Sequence, residues 1–460
     1  MKSEMSRAFG IAALLSCIPA IVPAQSAPAR SGPEPTVLAF YGQALLTGMA
    51  RDRCVRDVPA QAVRYADAAA AWVAPRQPEL AATMRYFELF RAHAADQAAG
   101  VEDAMYGTYV ELVTGPGGKV LDAQALRERC DRFFTTVESD KAGSDSDVWH
   151  RSLHAQACAG AASAVAPPAF CVESATLAAA RRQFRTAAAG KASGEPLPKP
   201  PAGVFDLVRY PAPVGALPAW RTSPAKDGKR HPAIVWIAGG DTNTIGDVWT
   251  AAPRDNDQTA AAYRQAGIVA MFPSLRGGNA NPGHHEGFYG EVDDVLAAAD
   301  WLAAQPDVDP ARIYLGGHST GGTLALLTAE TSPRFRAVFA FGPVANGMTY
   351  GKELVPLDAA HADPRETTLR SPALWLSQVA SDTFVIEGER QPANYGDLVF
   401  MSAMSANPKL RFLAVRGATH FSVLGPVNAL IARRILADGP ASSGVRLAKP
   451  ELDAAIAAAR

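Results

Sequence analysis

The sequence predicts an α/β fold, a mostly parallel sheet with helices on both faces, preceded by an all-helical domain. Three observations carry that expectation. Downstream of residue 203, strand-like runs alternate with helical ones, the pattern of a parallel sheet with crossover helices. Upstream of residue 190 the chain is Ala-rich, with apolar residues at helical spacing and almost no β-branched runs. Between the two lies GKASGEPLPKPPAG, a Pro, Gly and Lys stretch expected to run extended as a linker over residues 190–203. A chain of 460 residues, 48% hydrophobic and 19% charged, is long enough for two or three such domains at roughly 100–200 residues each.

In chain order, residues 1–24 fit a secretory signal. Lys2 and Arg7 make a basic start, residues 9–22 an apolar run, and Val22-Pro23-Ala24 a small-residue cleavage site. The expected location is therefore exported, with lipid attachment at Cys17 the minor alternative. Residues 31–189 are expected to form five to seven helices, including 59–72, 79–98, 123–137 and 174–186. Cys54, Cys130, Cys158 and Cys171 all fall in this part, and in an exported chain they permit two disulfides in any of three pairings.

The α/β domain is expected over 204–440. FDLVRY and LPAWRT read as antiparallel edge strands, and HPAIVWIAGG, GIVAMFPSL, RIYLGGHS, FRAVFAFGPV, PALWLSQVA and LRFLAVRGATH as the strands that follow. EVDDVLAAADWLAAQ, TGGTLALLTAE and PVNALIARRILAD read as the covering helices. Residues 343–370 interrupt the alternation, as a substrate-covering insertion would. Residues 441–460 read as a tail.

Gly317-His318-Ser319-Thr320-Gly321 matches G-x-S-x-G between a strand and a helix, the context in which a serine is held exposed on a sharp turn. Ser319 is therefore the expected nucleophile. Its base is His420, on the loop after a late strand, ahead of His318, His284, His285 and His361. The acid expected to orient the base is Asp382. Glu387, five residues on, is the substitute, while Asp358 and Asp363 fit less well. Ser319, Asp382, His420 is the chain order of α/β-hydrolases. Two amides are needed for the oxyanion. Thr320 follows the serine, and Gly240 lies in the Gly239-Gly240-Asp241 loop after a strand.

Weaker features are weighed beside these. Arg276 in SLRGG either binds a substrate carboxylate or braces its loop. Glu291, Asp293 and Asp294 read as acids favoured at a helix start. His150, His154 and Cys158 drift around a helix at successive i,i+4 positions, so no metal is expected, and acyl transfer by serine requires no cofactor. With 44 basic against 45 acidic side chains, nothing points to nucleic acid, and no segment after the signal is long and apolar enough to span a bilayer. The expected partner is a small-molecule or peptide substrate.

Residues 232–437 carry IVWIAGG, FPSLRGGNANPG, GFYGEVDDVLAAADWLA, VDPARIYLGGHSTGGTLAL and GATHFSVL. Together these resemble the catalytic domain of the prolyl oligopeptidase family, without the β-propeller many members carry. The resemblance implies a serine peptidase fold with Ser319, Asp382 and His420 as triad. Ile237 stands where dipeptidyl-peptidase-like members have an oxyanion-hole tyrosine, and Ala238 where others have histidine. The expectation is an exported serine hydrolase cleaving peptide or amide bonds of small substrates. The alternatives are a carboxylesterase on small esters and a non-catalytic binding protein of the same fold.

Overall fold

The computed structural model describes residues 35–76, 80, 110, 114, 120–140, 176–357, 363–405, 407–439 and 444–459. The chain divides into two compact units, Met1–Cys171 and Val172–Arg460. The expected signal, all of the helix at 79–98 but Leu80, Cys158, Cys171, His150, His154, Asp358 and His361 lie outside the described residues. Among the described residues, no helix is long and apolar enough to cross a membrane.

In the first unit, helices α1 (Pro35–Asp57), α2 (Ala62–Val73) and α3 (Ala123–Ser139) pack together. Asp122 caps α3 by accepting from the Ala125 N–H, as an N-cap aspartate should. A disulfide joins Cys54 of α1 to Cys130 of α3. Beside it the Tyr65 and Phe134 rings stack 4.9 Å apart.

In the second unit eight strands form one sheet: β1 (Phe205–Ala212), β2 (Gly215–Thr222), β3 (His231–Ile237), β4 (Val269–Pro273), β5 (Val308–His318), β6 (Ala337–Phe341), β7 (Asp382–Gly388) and β8 (Leu410–Val415). Their order is β1-β2-β4-β3-β5-β6-β7-β8. β1 and β2 pair antiparallel at the edge, and β2 meets β4 antiparallel. Every other pairing is parallel. This is the predicted α/β-hydrolase architecture. β3, β4 and β6 are buried along almost their whole length, as strands covered on both faces must be. The covering helices are α4 (Leu177–Arg182), α5 (Ala261–Gln265), α6 (Glu291–Ala303), α7 (Thr320–Thr331), α8 (Pro364–Thr368), α9 (Tyr395–Met404), α10 (Leu424–Ala437) and α11 (Lys449–Ala459).

Three local expectations differ from the structure. The Pro/Gly stretch 190–203 is not where the units divide, since the division falls at Cys171. Its start is instead pinned to the sheet unit, where Gly190 N–H donates to His285 O and Ser193 N–H to Gly277 O, both at 2.8 Å. Residues 449–459 are not a tail but helix α11, whose Leu452 and Ile456 enter the core. PALWLSQVA is not a strand, for it folds as two 3₁₀ turns, Pro372–Leu374 and Leu376–Gln378. Pro372 lacks the ladder N–H, and the Trp375 indole donates to Thr368 O at 2.8 Å, which fixes the turn. The strand proper starts only at Asp382.

Candidate active site

In a parallel sheet the loops at the carboxyl ends of the strands converge, and the site forms there. β5 ends at His318 and α7 begins at Thr320, so Ser319 alone makes the turn. Its backbone sits at φ 56° and ψ −117°, a conformation costly for a non-glycine residue. The glycines on either side permit it by close approach. A Cβ on Gly317 would fall 2.3 Å from Gly321 O, and one on Gly321 would fall 2.3 Å from Ile237 O. The Ser319 N–H donates to Phe341 O at 2.8 Å, tying the elbow to the end of β6.

His420 follows β8 on a short loop. Its Nδ1 lies 2.7 Å from Glu387 Oε2, and that carboxylate is fully buried. Glu387 is held in turn. Gly388 N–H donates to Oε1 at 2.6 Å and Asn394 N–H donates to Oε2 at 3.0 Å. Each carboxylate oxygen thus has a backbone donor, and Oε2 takes the imidazole N–H as well, which leaves His420 Nε2 as the ring nitrogen able to accept a proton. The pair leaves no room behind it. At Gly342, immediately past β6 and at φ +54°, a Cβ would stand 2.4 Å from His420 Cε1 and 2.7 Å from Glu387 Oε2. Phe341 and Gly342 therefore carry both the serine turn and the histidine ring.

Asp382 is the expectation that fails. It opens β7 opposite Ala337, at the amino end of the sheet, and pairs with Lys409 at 3.3 Å. Five residues of strand separate it from Glu387, about 16 Å of rise, so it cannot reach His420. Placing the strand at PALWLSQVA put Asp382 at a carboxyl end that in fact belongs to Glu387. Of the acids that fitted less well, Asp363 is the N-cap of α8.

The segments expected to supply the oxyanion amides lie together. Thr320 is the first residue of α7, and its hydroxyl donates to Gly240 O at 2.9 Å. A Cβ on Gly239 would sit 3.3 Å from Ser319 Cβ, so the loop after β3 passes close to the serine.

Arg276 does not face a substrate. Its Nε and Nη2 donate to the two oxygens of Asp294, each at 2.9 Å, and Nη1 pairs with Glu286 at 2.9 Å. A buried guanidinium so saturated braces the loop after β4. Burial pushes the Asp294 carboxyl up to about 6 against the opposing pull of Arg276. Glu291 accepts from Asn243 and from the Glu286 N–H, and Asp293 pairs with Arg181, so the acids at the start of α6 are structural.

Two residues near the serine were not foreseen. The Tyr350 hydroxyl lies 3.0 Å from Thr323 Oγ1 and within hydrogen-bonding reach of Ser319. Burial raises its pKa, which keeps the phenol protonated. Tyr350 comes from the interrupting segment, which is anchored at its far end. Arg370 ties it to Gly287 O and Glu286 O at 2.6 Å each. The other is His318, which the sequence ranks behind His420 as the base. Its ring centroid is 4.4 Å from that of His420. The position of the loop after β6 was the one available hint for Tyr350.

Comparison with known proteins agrees with this unit. Residues 255–389 match the sequence model described as the prolyl oligopeptidase family. A curated relative, the dipeptidyl-peptidase 5 of Porphyromonas endodontalis, is 26% identical over 228 residues, 45% of this chain and 32% of that protein. The chain thus spans about a third of the length of that relative. Among solved structures, a Pyrobaculum calidifontis esterase is 21% identical, with a TM-score of 0.38 over 53% of this chain and 87% of that one. A Mycobacterium tuberculosis puromycin-hydrolyzing peptidase is 20% identical, with a TM-score of 0.43 over 55% and 43%.

Proposed function

We propose that this chain, whose residues 255–389 belong to the prolyl oligopeptidase family, is a serine hydrolase with Ser319, His420 and Glu387 as its triad. The observation that carries the reading is the 2.7 Å contact of His420 Nδ1 with buried Glu387, beside a serine on a strained turn.

A serine hydroxyl is a poor nucleophile until a base takes its proton. Ser319 Oγ attacks the acyl carbonyl and His420 Nε2 accepts the proton. Glu387 holds the tautomer and stabilises the imidazolium that forms. The Thr320 and Gly240 amides receive the oxyanion, at the positive end of α7. His420 then gives its proton to the leaving group. In the second half a water, deprotonated by His420, releases the acyl group.

The substrates are small peptides or amides, a reading supported by the family description and by the name of the curated relative. The enzyme acts as an exported protein, supported by the basic and apolar start of the sequence.

A fluorophosphonate probe should label the wild type and spare Ser319→Ala. Equal labelling of both would refute the nucleophile. Paired assays on aminoacyl p-nitroanilides and p-nitrophenyl esters test the substrate class. Turnover confined to short esters would replace the peptidase reading with an esterase.

A further inference from the structure

One buried imidazole touching the site has no part in the chemistry above. His318 is the variable residue of G-x-S-x-G and is 1% exposed. Its Nε2 lies 3.0 Å from the backbone carbonyl of His420. A carbonyl only accepts, so Nε2 carries the hydrogen and Nδ1 is the acceptor. At Nδ1 stands the side-chain amide of Gln258, with Nε2 at 3.0 Å and Oε1 at 3.1 Å; with Nδ1 an acceptor, Nε2 is the atom that bonds to it. That amide is itself anchored, donating to Asn256 Oδ1 at 2.9 Å. Every polar atom of the ring is therefore assigned, in one tautomer. Burial and the neighbouring His420 lower its pKa to about 3, so the ring stays neutral across the working range.

Two other hydrogen bonds hold His420 among the described residues. Its N–H donates to Pro392 O at 2.8 Å, and its Nδ1 meets Glu387. Neither contact fixes the carbonyl end of the residue. We propose that His318, steadied by Gln258, is a positioning residue for the catalytic base. It clamps the His420 carbonyl and lies against the imidazole, so that Nε2 is held towards Ser319 throughout both halves of the reaction. An apolar residue could fill this buried space. What packing alone does not explain is the donor aimed at the backbone of the base and the acceptor matched to Gln258. A neutral clamp has a further use, because a cation at this distance would disfavour the imidazolium that forms during turnover. The proposal rests on His420 being the base.

The test compares kcat and KM of the full chain, on whichever chromogenic substrate it turns over, with the rate of fluorophosphonate labelling. His318→Phe keeps an aromatic ring and loses the hydrogen bonds. It should lower kcat and the labelling rate by about 30- to 100-fold with KM within about twofold, the scale expected of a base displaced by about 1 Å. His318→Gln places an amide N–H near the position of imidazole Nε2 and should recover kcat to within about fivefold of wild type. Gln258→Leu leaves His318 in place and should lower kcat by about three- to tenfold at unchanged KM, a result readable even if His318→Phe fails to fold. Wild-type kcat in folded His318→Phe, or in Gln258→Leu, would overturn the proposal. So would a loss in His318→Phe that His318→Gln does not relieve. Labelling of Ser319→Ala at the wild-type rate would instead bring down the triad itself, so the two failures are distinct.

Discussion

β7 carries a carboxylate at each end, and the two live in different chemical worlds. Glu387 at the carboxyl end is fully buried, bonded by two backbone amides and by His420. Asp382 at the amino end is about one-third exposed and meets only the flexible ammonium of Lys409 among the contacts described. It borders a cavity of about 810 Å³ that also contains Arg411, Arg434 and Arg446. Residue type would have favoured the aspartate. What decides the role is position along a parallel strand, because it is the carboxyl ends of the strands, those of β3, β5, β6, β7 and β8, that converge on the serine.

That contrast can be broken most sharply by kinetics. Glu387→Gln should lower kcat/KM by about 10³- to 10⁴-fold, as loss of the orienting acid does in other triads, while Asp382→Asn stays within about twofold of wild type. Equal losses in both variants would erase the distinction.

The same logic extends to the first unit, where a covalent bond does work that burial does in the second. Cys54 and Cys130 close a loop across 76 residues. Replacing Cys54 with serine should remove about 4 kcal/mol from the helical unit on loop-closure grounds, enough to shift its unfolding to much lower denaturant. Mass spectrometry that finds both thiols free in the isolated protein would remove the premise.

Next in size is the crowding around the acid–base pair. Gly342→Ala puts a Cβ within 2.4 Å of His420 Cε1. The ring must move, and a displacement of about 1 Å should lower kcat by about 10²-fold. A near-normal kcat would mean that the pair is held less tightly than the packing indicates.

The smallest effect concerns a carboxyl that is buried like Glu387 but without partners among the described residues. There neither oxygen of Glu330 has a hydrogen-bond partner, and burial raises its pKa well above the ordinary carboxylate value. The folded state then keeps a proton that the unfolded state releases above about pH 4.5. Stability should therefore fall as pH rises from there towards the folded-state value, by at most about 1.4 kcal/mol per pH unit. Glu330→Gln should abolish this slope and melt higher than wild type at pH 8. Identical pH dependence of the two melting curves would contradict it.

Much of this was legible in the sequence. Ser319 shows itself because glycines, a β-branched strand and a helical run all flank it. His420 shows itself because it follows the strand LRFLAVRGATH directly. The acid was misplaced because PALWLSQVA has a strand's composition, and only the proline that opens it, Pro372, hinted otherwise. Its 3₁₀ turns are fixed by a tertiary contact from Trp375 to Thr368, which no local pattern encodes. Tyr350 and His318 were missed for a related reason. Their partners are 27 and 102 residues away, joined only by the convergence of strand ends. Helix α11 was lost in an Ala-rich text, where weak amphipathicity hides a face that buries Leu452 and Ile456.

The central claim is that Glu387 and not Asp382 holds the Nδ1 proton of His420. Proton NMR of the resting enzyme reads this bond directly, since a hydrogen bonded between imidazolium and a buried carboxylate resonates far downfield and exchanges slowly. Low-pH spectra of wild type and of Asp382→Asn should both show that resonance, and Glu387→Gln should lack it. A resonance that survives in Glu387→Gln and vanishes in Asp382→Asn would contradict the account.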